Sequence, residues 1–249
     1  MCLLALMFRV LPDAPVIAAA NREEAYSRGG EPPRILDGSC RAVAGVDPVA
    51  GGTWFGVNQH GVLVAVTNRD KSQLPAHPRS RGLLVRDLLQ CATARAATEL
   101  ATRELGENHY AGCNFLCADC EGASVIHAGD WLRVRPLPPG IHVLTARDVN
   151  DLGDARIAHS LSWLSQRGFA SAPDCLTAMR QLCGETGNGG PPICLRGKLG
   201  GTVSSTLVAL GQSLAQSTYL HCQGPPDRGS YTDYSRLLGE LEAATSRRT

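Results

Sequence analysis

Much that would point to a membrane, nucleic-acid or secreted role is missing from this chain. No apolar run approaches the roughly 20 residues needed to span a bilayer, so no transmembrane segment is expected. No basic cluster with interleaved aromatics appears, and the formal net charge is only +1, which leaves no nucleic-acid face to propose. The start has no basic n-region, Arg9 cuts the first apolar run short, and no cleavage site follows, which argues against a secretory signal. No low-complexity linker divides the 249 residues, so a single domain over residues 1–249 is expected, frayed from about residue 245. His127 has no second ligand at zinc-site spacing, and no metal is expected.

Cysteine, by contrast, is abundant: ten residues, an even number that invites a disulfide reading. A chain this long has no need of such staples, and without a secretory signal a reducing, cytoplasmic compartment is the expectation. Cys113, Cys117 and Cys120 have the C-x3-C-x2-C spacing of an iron–sulfur cluster motif. The same stretch reads as a strand running into a hairpin turn, and it lacks the aromatic often found beside the last ligand. Cys91 and Cys183 fall in helical patterns, where a thiol acts as a small hydrophobe.

Cys2 is different because of its place. Initiator methionine is removed when the next side chain is small, so the processed chain would begin with a cysteine carrying a free α-amine. That amine titrates at about 8, against about 10.4 for lysine, and is partly neutral near pH 7. It can accept the thiol proton directly or through one water, leaving a thiolate to attack a carbonyl. The other reading is an incidental cysteine at the start of a strand.

After Leu3–Phe8, the turn Pro12-Asp13-Ala14-Pro15 leads into Val16–Ala20, an antiparallel partner that delivers Asn21-Arg22-Glu23-Glu24 to the hairpin end. An arginine near a thiol lowers its pKa and a carboxylate near an amine orients it, although a solvated turn would look the same in sequence. Residues 27–48, rich in Gly, Pro and Arg, read as a long loop at a substrate mouth. Strand 54–57 turns through 58–61 into strand 62–67, with Asn68 at its end. Residues 82–105 read as one long amphipathic helix, and residues 154–166 and 174–183 as two more. A Gly/Pro-rich loop (184–201), a hairpin of 202–210 with 217–222, and a helix over 233–244 complete the chain. Strands at the start, middle and end with helices between them predict an α+β fold.

The ordered motifs Met1-Cys2-Leu3-Leu4, Asn21-Arg22-Glu23-Glu24, Gly51-Gly52-Thr53-Trp54, Thr67-Asn68-Arg69-Asp70, Ser80-Arg81-Gly82-Leu83 and Gly201-Thr202-Val203-Ser204 closely resemble the NRDE family, the Transport and Golgi organisation type. Glu23 stands where that family's namesake motif has Asp, and Val203 where Arg is common. The family is similar in turn to N-terminal-nucleophile (Ntn) hydrolases of the choloylglycine hydrolase and penicillin V acylase type.

The resemblance implies a four-layer αββα sandwich of two antiparallel sheets between helical layers. It also implies Cys2 as nucleophile, Arg22 and Glu24 as orienting charges with Asn21 beside them, and Asn68 as oxyanion donor. Trp54 and Ser204 would touch substrate. Where those hydrolases carry a second functional Asn, this chain has Ala146, and Arg147 is the candidate replacement, ahead of the more distant Asn150. The implied activity is an amidase-like hydrolase or acyltransferase acting on a non-peptide C–N bond of a small-molecule amide or acyl substrate, with no cofactor. The second reading is a non-catalytic protein handling lipid or haem on the same fold. Oligomeric state is not readable.

Overall fold

The computed structural model describes residues 2–107 and 109–245. Met1 and the tail expected to fray, Ser246 to Thr249, lie outside the described residues. In chain order the strands are β1 (Leu3–Phe8), β2 (Val16–Ala25), β3 (Glu31–Leu36), β4 (Ala42–Val46), β5 (Phe55–Asn58) and β6 (Leu63–Asn68). Helices α1 (Arg81–Leu88) and α2 (Ala94–Gly106) follow, then β7 (Cys113–Ala118), β8 (Ala123–Ala128), β9 (Leu132–Pro136) and β10 (Gly140–Leu144). Helices α3 (Ala155–Ser165) and α4 (Ala172–Cys183) precede β11 (Gly200–Leu210), β12 (Thr218–Gln223), the short β13 (Thr232–Asp233) and α5 (Ser235–Thr245).

The strands form two antiparallel sheets, one in the order β10-β1-β2-β11-β12-β13 and one in the order β3-β4-β5-β6-β7-β8-β9. β1 is central in the first, which explains its unbroken apolar sequence: a strand covered on both faces has no solvent side to mark with polar residues. Leu3, Ala5 and Met7 pack with Met179 and Leu182 of α4, whereas Leu4, Leu6 and Phe8 pack with Phe55, Leu63 and Leu116 of the second sheet. The outer face of that second sheet, through Val62, Val64 and Phe115, is covered by Leu84, Leu88 and Ala97 of α1 and α2. The layers therefore run helix, sheet, sheet, helix, as the resemblance implied.

Among the contacts between the two sheets is the edge-to-face pair of Phe55 on β5 and Tyr219 on β12 (ring centroids 6.3 Å apart, 80° between planes). The Tyr219 hydroxyl is buried and has no hydrogen-bond partner among the described residues, and burial pushes its pKa up. Tyr219→Phe is therefore expected to raise stability by about 1 kcal/mol, against the usual direction, because it removes a desolvated donor and keeps the ring. Urea unfolding measures it; a lower midpoint would mean that the hydroxyl is hydrogen-bonded in solution.

Two expectations are corrected. Residues 27–48 are not a long loop, because β3 and β4 form a hairpin there. β3 carries Pro32 and Pro33 because it is an edge strand with a register irregularity between Glu31 and Arg34, where missing N–H groups cost little. Residues 82–105 are not one helix either; α1 ends at Leu88 and α2 begins at Ala94. Asn58 at the end of β5, Asp119 in the turn after β7 and the local Thr93 satisfy the break. Asn58 Nδ2 donates to Leu89 O and Cys91 O at 2.9 and 2.7 Å. Asp119 Oδ2 accepts from Ala94 N at 2.6 Å, and Thr93 Oγ1 accepts from Ala96 N at 3.1 Å. Asn58 Oδ1 also accepts from His60 N and Val62 N, closing the β5–β6 turn over Gly61, whose φ is 75°.

All ten cysteines are free thiols. Cys113 and Cys117 are buried on the helix-facing side of β7 while Cys120 is exposed, so the three do not converge as cluster ligands. Among the described residues no three His, Cys, Asp or Glu side chains are grouped to hold a metal ion, and no helix is long and apolar enough to cross a membrane.

Candidate active site

Strand alternation decides what surrounds Cys2. Leu3 pairs with Asn21 and Leu4 with Ala20, which sets Arg22 opposite Cys2 on the face turned to the second sheet and sends Asn21 and Glu23 to the helix side. The half-buried thiol receives the Glu23 N–H at 3.5 Å. Burial pushes its pKa up; the Glu23 N–H and the Arg22 charge pull the other way without prevailing.

Cys2 lines a cleft of about 320 Å³ together with Arg22, Glu24, Trp54 and Asn68, residues supplied by β2, the segment before β5 and the end of β6. The Arg22 guanidinium lies 4.1 Å from the Trp54 ring centroid, a cation–π stack, and donates to Gly29 O. Trp54 is placed by its neighbours. A Cβ on Gly52 would overlap the backbone of Gly82, and Thr53 N donates to Gly82 O at 3.0 Å. The Gly-Gly-Thr-Trp and Ser-Arg-Gly segments are thus one piece of the wall, joined where two backbones touch.

Four charged cleft residues, Arg28, Asp47, Arg79 and Arg81, were not singled out from the sequence. Arg28 donates through Nη2 to Asp47 Oδ2 at 2.6 Å and its Nε lies 3.7 Å from Glu24 Oε2. Burial opposes ionisation of Asp47, but the Arg28 hydrogen bonds outweigh it and hold the carboxyl below the usual range. Arg81, at the first position of α1, also lines the cleft and donates to Gly112 O at 2.9 Å. Arg28 and Asp47 lay in the segment read as a loop, and Arg81 within a matched motif to which no role was attached.

The remaining candidates lie elsewhere. Asn21 is buried and its Nδ2 donates to Cys183 O and Ile193 O at 2.9 and 3.2 Å, holding β2 to the helix layer. Ser204, paired with Arg22 in register, is buried and does not line the cleft. Arg147 is exposed and also outside the lining. Ala146 is buried, and Asn150 is spent on Val143 N (2.9 Å) and His142 Nδ1 (3.0 Å). A wider neighbouring cavity of about 540 Å³ shares Glu23 and Glu24, but the cysteine in its wall, Cys194, is buried and donates to Asp227.

A residue without sequence signal ties the site end of β10 to the second sheet. Asn114 Nδ2 donates to Thr145 O and Arg147 O at 3.0 and 3.2 Å, and its Oδ1 meets His127 Nδ1 at 2.8 Å. Burial drives His127 down to about 4; Asp148 opposes this, and Arg69 and Arg133 add to it. Between pH 6.5 and about 4 the unfolded chain therefore binds a proton there that the native state refuses, so stability is present above pH 6.5 and falls as pH drops through that window. Urea midpoints at pH 7 and 5 should differ, and His127→Gln should shrink the difference. An unchanged difference would place the acid sensitivity elsewhere.

Two sheets between helical layers, with a cysteine at the head of a central strand and a polar cleft at that end, define the N-terminal-nucleophile hydrolase fold. Solved structures agree. The chain is similar to a Caenorhabditis elegans N-acylethanolamine-hydrolyzing acid amidase ortholog (TM-score 0.57, 17% identity, 83% of this chain and 92% of that one). It is similar also to penicillin V acylase from Agrobacterium tumefaciens (TM-score 0.58, 13% identity, 95% and 88%). At these identities the likeness concerns the fold. The chain belongs to the Transport and Golgi organisation 2 family, whose model matches residues 1–166. The human Transport and Golgi organization protein 2 homolog is 34% identical over 112 residues, 43% of this chain and 40% of the relative. The Bos taurus homolog is 30% identical over 139 residues, 52% and 50%. The chain thus spans about half or less of the length of these curated relatives.

Proposed function

We propose that this chain is a cysteine N-terminal-nucleophile hydrolase or acyltransferase acting on a non-peptide amide bond of a small molecule. Removal of Met1 would free the Cys2 α-amine, which takes the thiol proton. The thiolate attacks the amide carbonyl, and the tetrahedral oxyanion accepts from Asn68 Nδ2. Collapse breaks the C–N bond, the amine leaves with the proton, and water or a second amine then takes the acyl group from the Cys2 thioester. Arg22 favours the thiolate electrostatically, and Glu24 would orient the ammonium. No step calls for a cofactor.

The observation that carries this reading is that the half-buried Cys2 shares one cleft with Arg22, Glu24, Trp54 and Asn68. The amidase and acylase titles of the fold neighbours favour the same reaction class. The free state of all ten cysteines suits a reducing compartment such as the cytoplasm.

The test is intact mass combined with iodoacetamide labelling near neutral pH. The processed chain should lack Met1 and show one thiol alkylating much faster than the rest, a phase that Cys2→Ser removes. A form retaining Met1 should label Cys2 slowly, because the raised thiol pKa leaves little thiolate at pH 7. Uniform slow labelling of the processed chain would end the nucleophile reading. One observation favours the alternative, a lipid- or haem-handling protein: Ala146 stands where the related hydrolases carry their second Asn. A Soret shift on adding haem, with no fast thiol, would support it.

A further inference from the structure

The charges that line the Cys2 cleft are unevenly matched. Asp47 and Glu24 are taken up by Arg28, at 2.6 and 3.7 Å. Glu23 turns through the sheet to Arg156, 2.5 Å away. Arg79, also in the wall, is held by Asp87 and Glu104 at 2.6 and 3.3 Å. Arg22 and Arg81 are different, because among the described residues neither has a carboxylate oxygen at ion-pair distance. Each donates to one backbone carbonyl, of Gly29 and Gly112 respectively. A guanidinium has five N–H donors, so most of its hydrogen-bonding capacity is left over on both side chains. Arg22 has the Cys2 thiolate as a natural counter-charge in the proposed reaction. Arg81 has none.

Arginine in a cleft wall with unspent donors matches a carboxylate, whose two oxygens fit the planar fork. The volume of about 320 Å³ lies at the small end of ligand sites, which run from roughly 300 to 1,000 Å³. Trp54, Val66, Pro78 and Ala111 are among the apolar residues of the wall. Resting on the nucleophile reading above, we propose that Arg81, together with Arg22, anchors a carboxylate on the substrate, so that the cleft takes small amides of the N-acyl amino acid kind. Arg81 is a specificity residue in this scheme and takes no part in the bond changes.

Two alkylating reagents of nearly equal size separate this proposal from the one it rests on. Iodoacetamide is neutral and iodoacetate carries a carboxylate; both are timed at Cys2 in the processed chain, with N-acetylcysteinamide in solution as reference thiol. The iodoacetate-to-iodoacetamide rate ratio at Cys2 is expected to exceed the reference ratio by about tenfold or more, the scale on which a charged cleft concentrates an opposite ion. Added sodium chloride should shrink the excess. N-acetylglycine should protect Cys2 from both reagents where N-acetylglycinamide does not. Arg81→Gln should bring the ratio back towards that of the reference thiol, and Arg81→Lys should restore part of it.

A ratio equal to the reference, or one that Arg81→Gln leaves in place, overturns the carboxylate site while fast iodoacetamide labelling keeps the nucleophile reading alive. Protection by inorganic phosphate but not by N-acetylglycine overturns the carboxylate assignment in favour of a phosphate. Slow reaction with iodoacetamide itself overturns both readings, and that arm alone reports it. The salt and protection arms need no variant, so a misfolded Arg81→Gln chain would not spare the proposal.

Discussion

Arg156→Ala is expected to lower the unfolding free energy by about 3–5 kcal/mol, the usual cost of stripping one partner from a buried ion pair. The Glu23 side chain is 2% exposed and that of Arg156 12%, with Nη2 2.5 Å from Oε1, and Arg156 also donates to Ile193 O at 3.1 Å. Without the guanidinium, the buried Glu23 carboxylate loses this ion pair, on the same residue whose N–H reaches Cys2 Sγ. For a chain of this size the loss corresponds to a fall in Tm of roughly 6–20 °C. Replacing both partners by apolar residues, Glu23→Leu with Arg156→Met, should recover most of it, because the buried carboxylate goes together with its guanidinium. Urea unfolding of the three variants decides the matter. A loss below about 1 kcal/mol for Arg156→Ala would mean that the pair is not what makes Glu23 tolerable inside the fold.

Asn68→Ala should slow acylation of Cys2 by about 10²–10³-fold relative to its alkylation, the effect of removing one oxyanion donor. The comparison works because the two reactions differ in one respect. A p-nitrophenyl ester acylates the thiolate through a tetrahedral intermediate with a negative oxygen, whereas iodoacetamide alkylates the same sulfur by displacement and develops no oxyanion. A change in thiolate fraction or access would slow both and leave their ratio alone. Stopped-flow release of p-nitrophenolate and mass-spectrometric timing of alkylation give the two rates. An unchanged ratio would remove Asn68 from the mechanism and direct attention to the backbone N–H groups of the cleft wall.

Much of the site could be read before any coordinates. The apolar run after Cys2, the turn at Pro12–Pro15 and the polar tetrad Asn21–Glu24 mark a hairpin that returns to the chain's start, and Leu3 does pair with Asn21. Cys2, Arg22, Glu24, Trp54 and Asn68 were all named as candidates and all line one cleft. Asn21 was grouped with them because it belongs to the matched Asn21–Glu24 motif; neighbours in a strand face opposite ways, and Asn21 points at Cys183 and Ile193. The Arg28–Asp47 pair was hidden because Pro and Gly make an edge hairpin look like loop. Asn58, Asn114 and Asp119 were invisible for another reason: their partners, Leu89 O, Thr145 O and Ala94 N, lie 25 to 31 residues away along the chain.

Sequence alone determined the elements and the chemistry available to them: which stretches are apolar enough to be strands, where turns fall, and that a thiol, two arginines, a carboxylate and an amide recur in matched motifs. Tertiary structure decided which of those groups meet. A strand presents alternate side chains to opposite faces, so a single step of register between β1 and β2 would have sent Arg22 to the helix layer and Glu23 to the thiol. Register, and the contact of Gly52 with Gly82 that seats Trp54 over Arg22, depends on packing between segments far apart in the chain. Local composition carries no record of that distance.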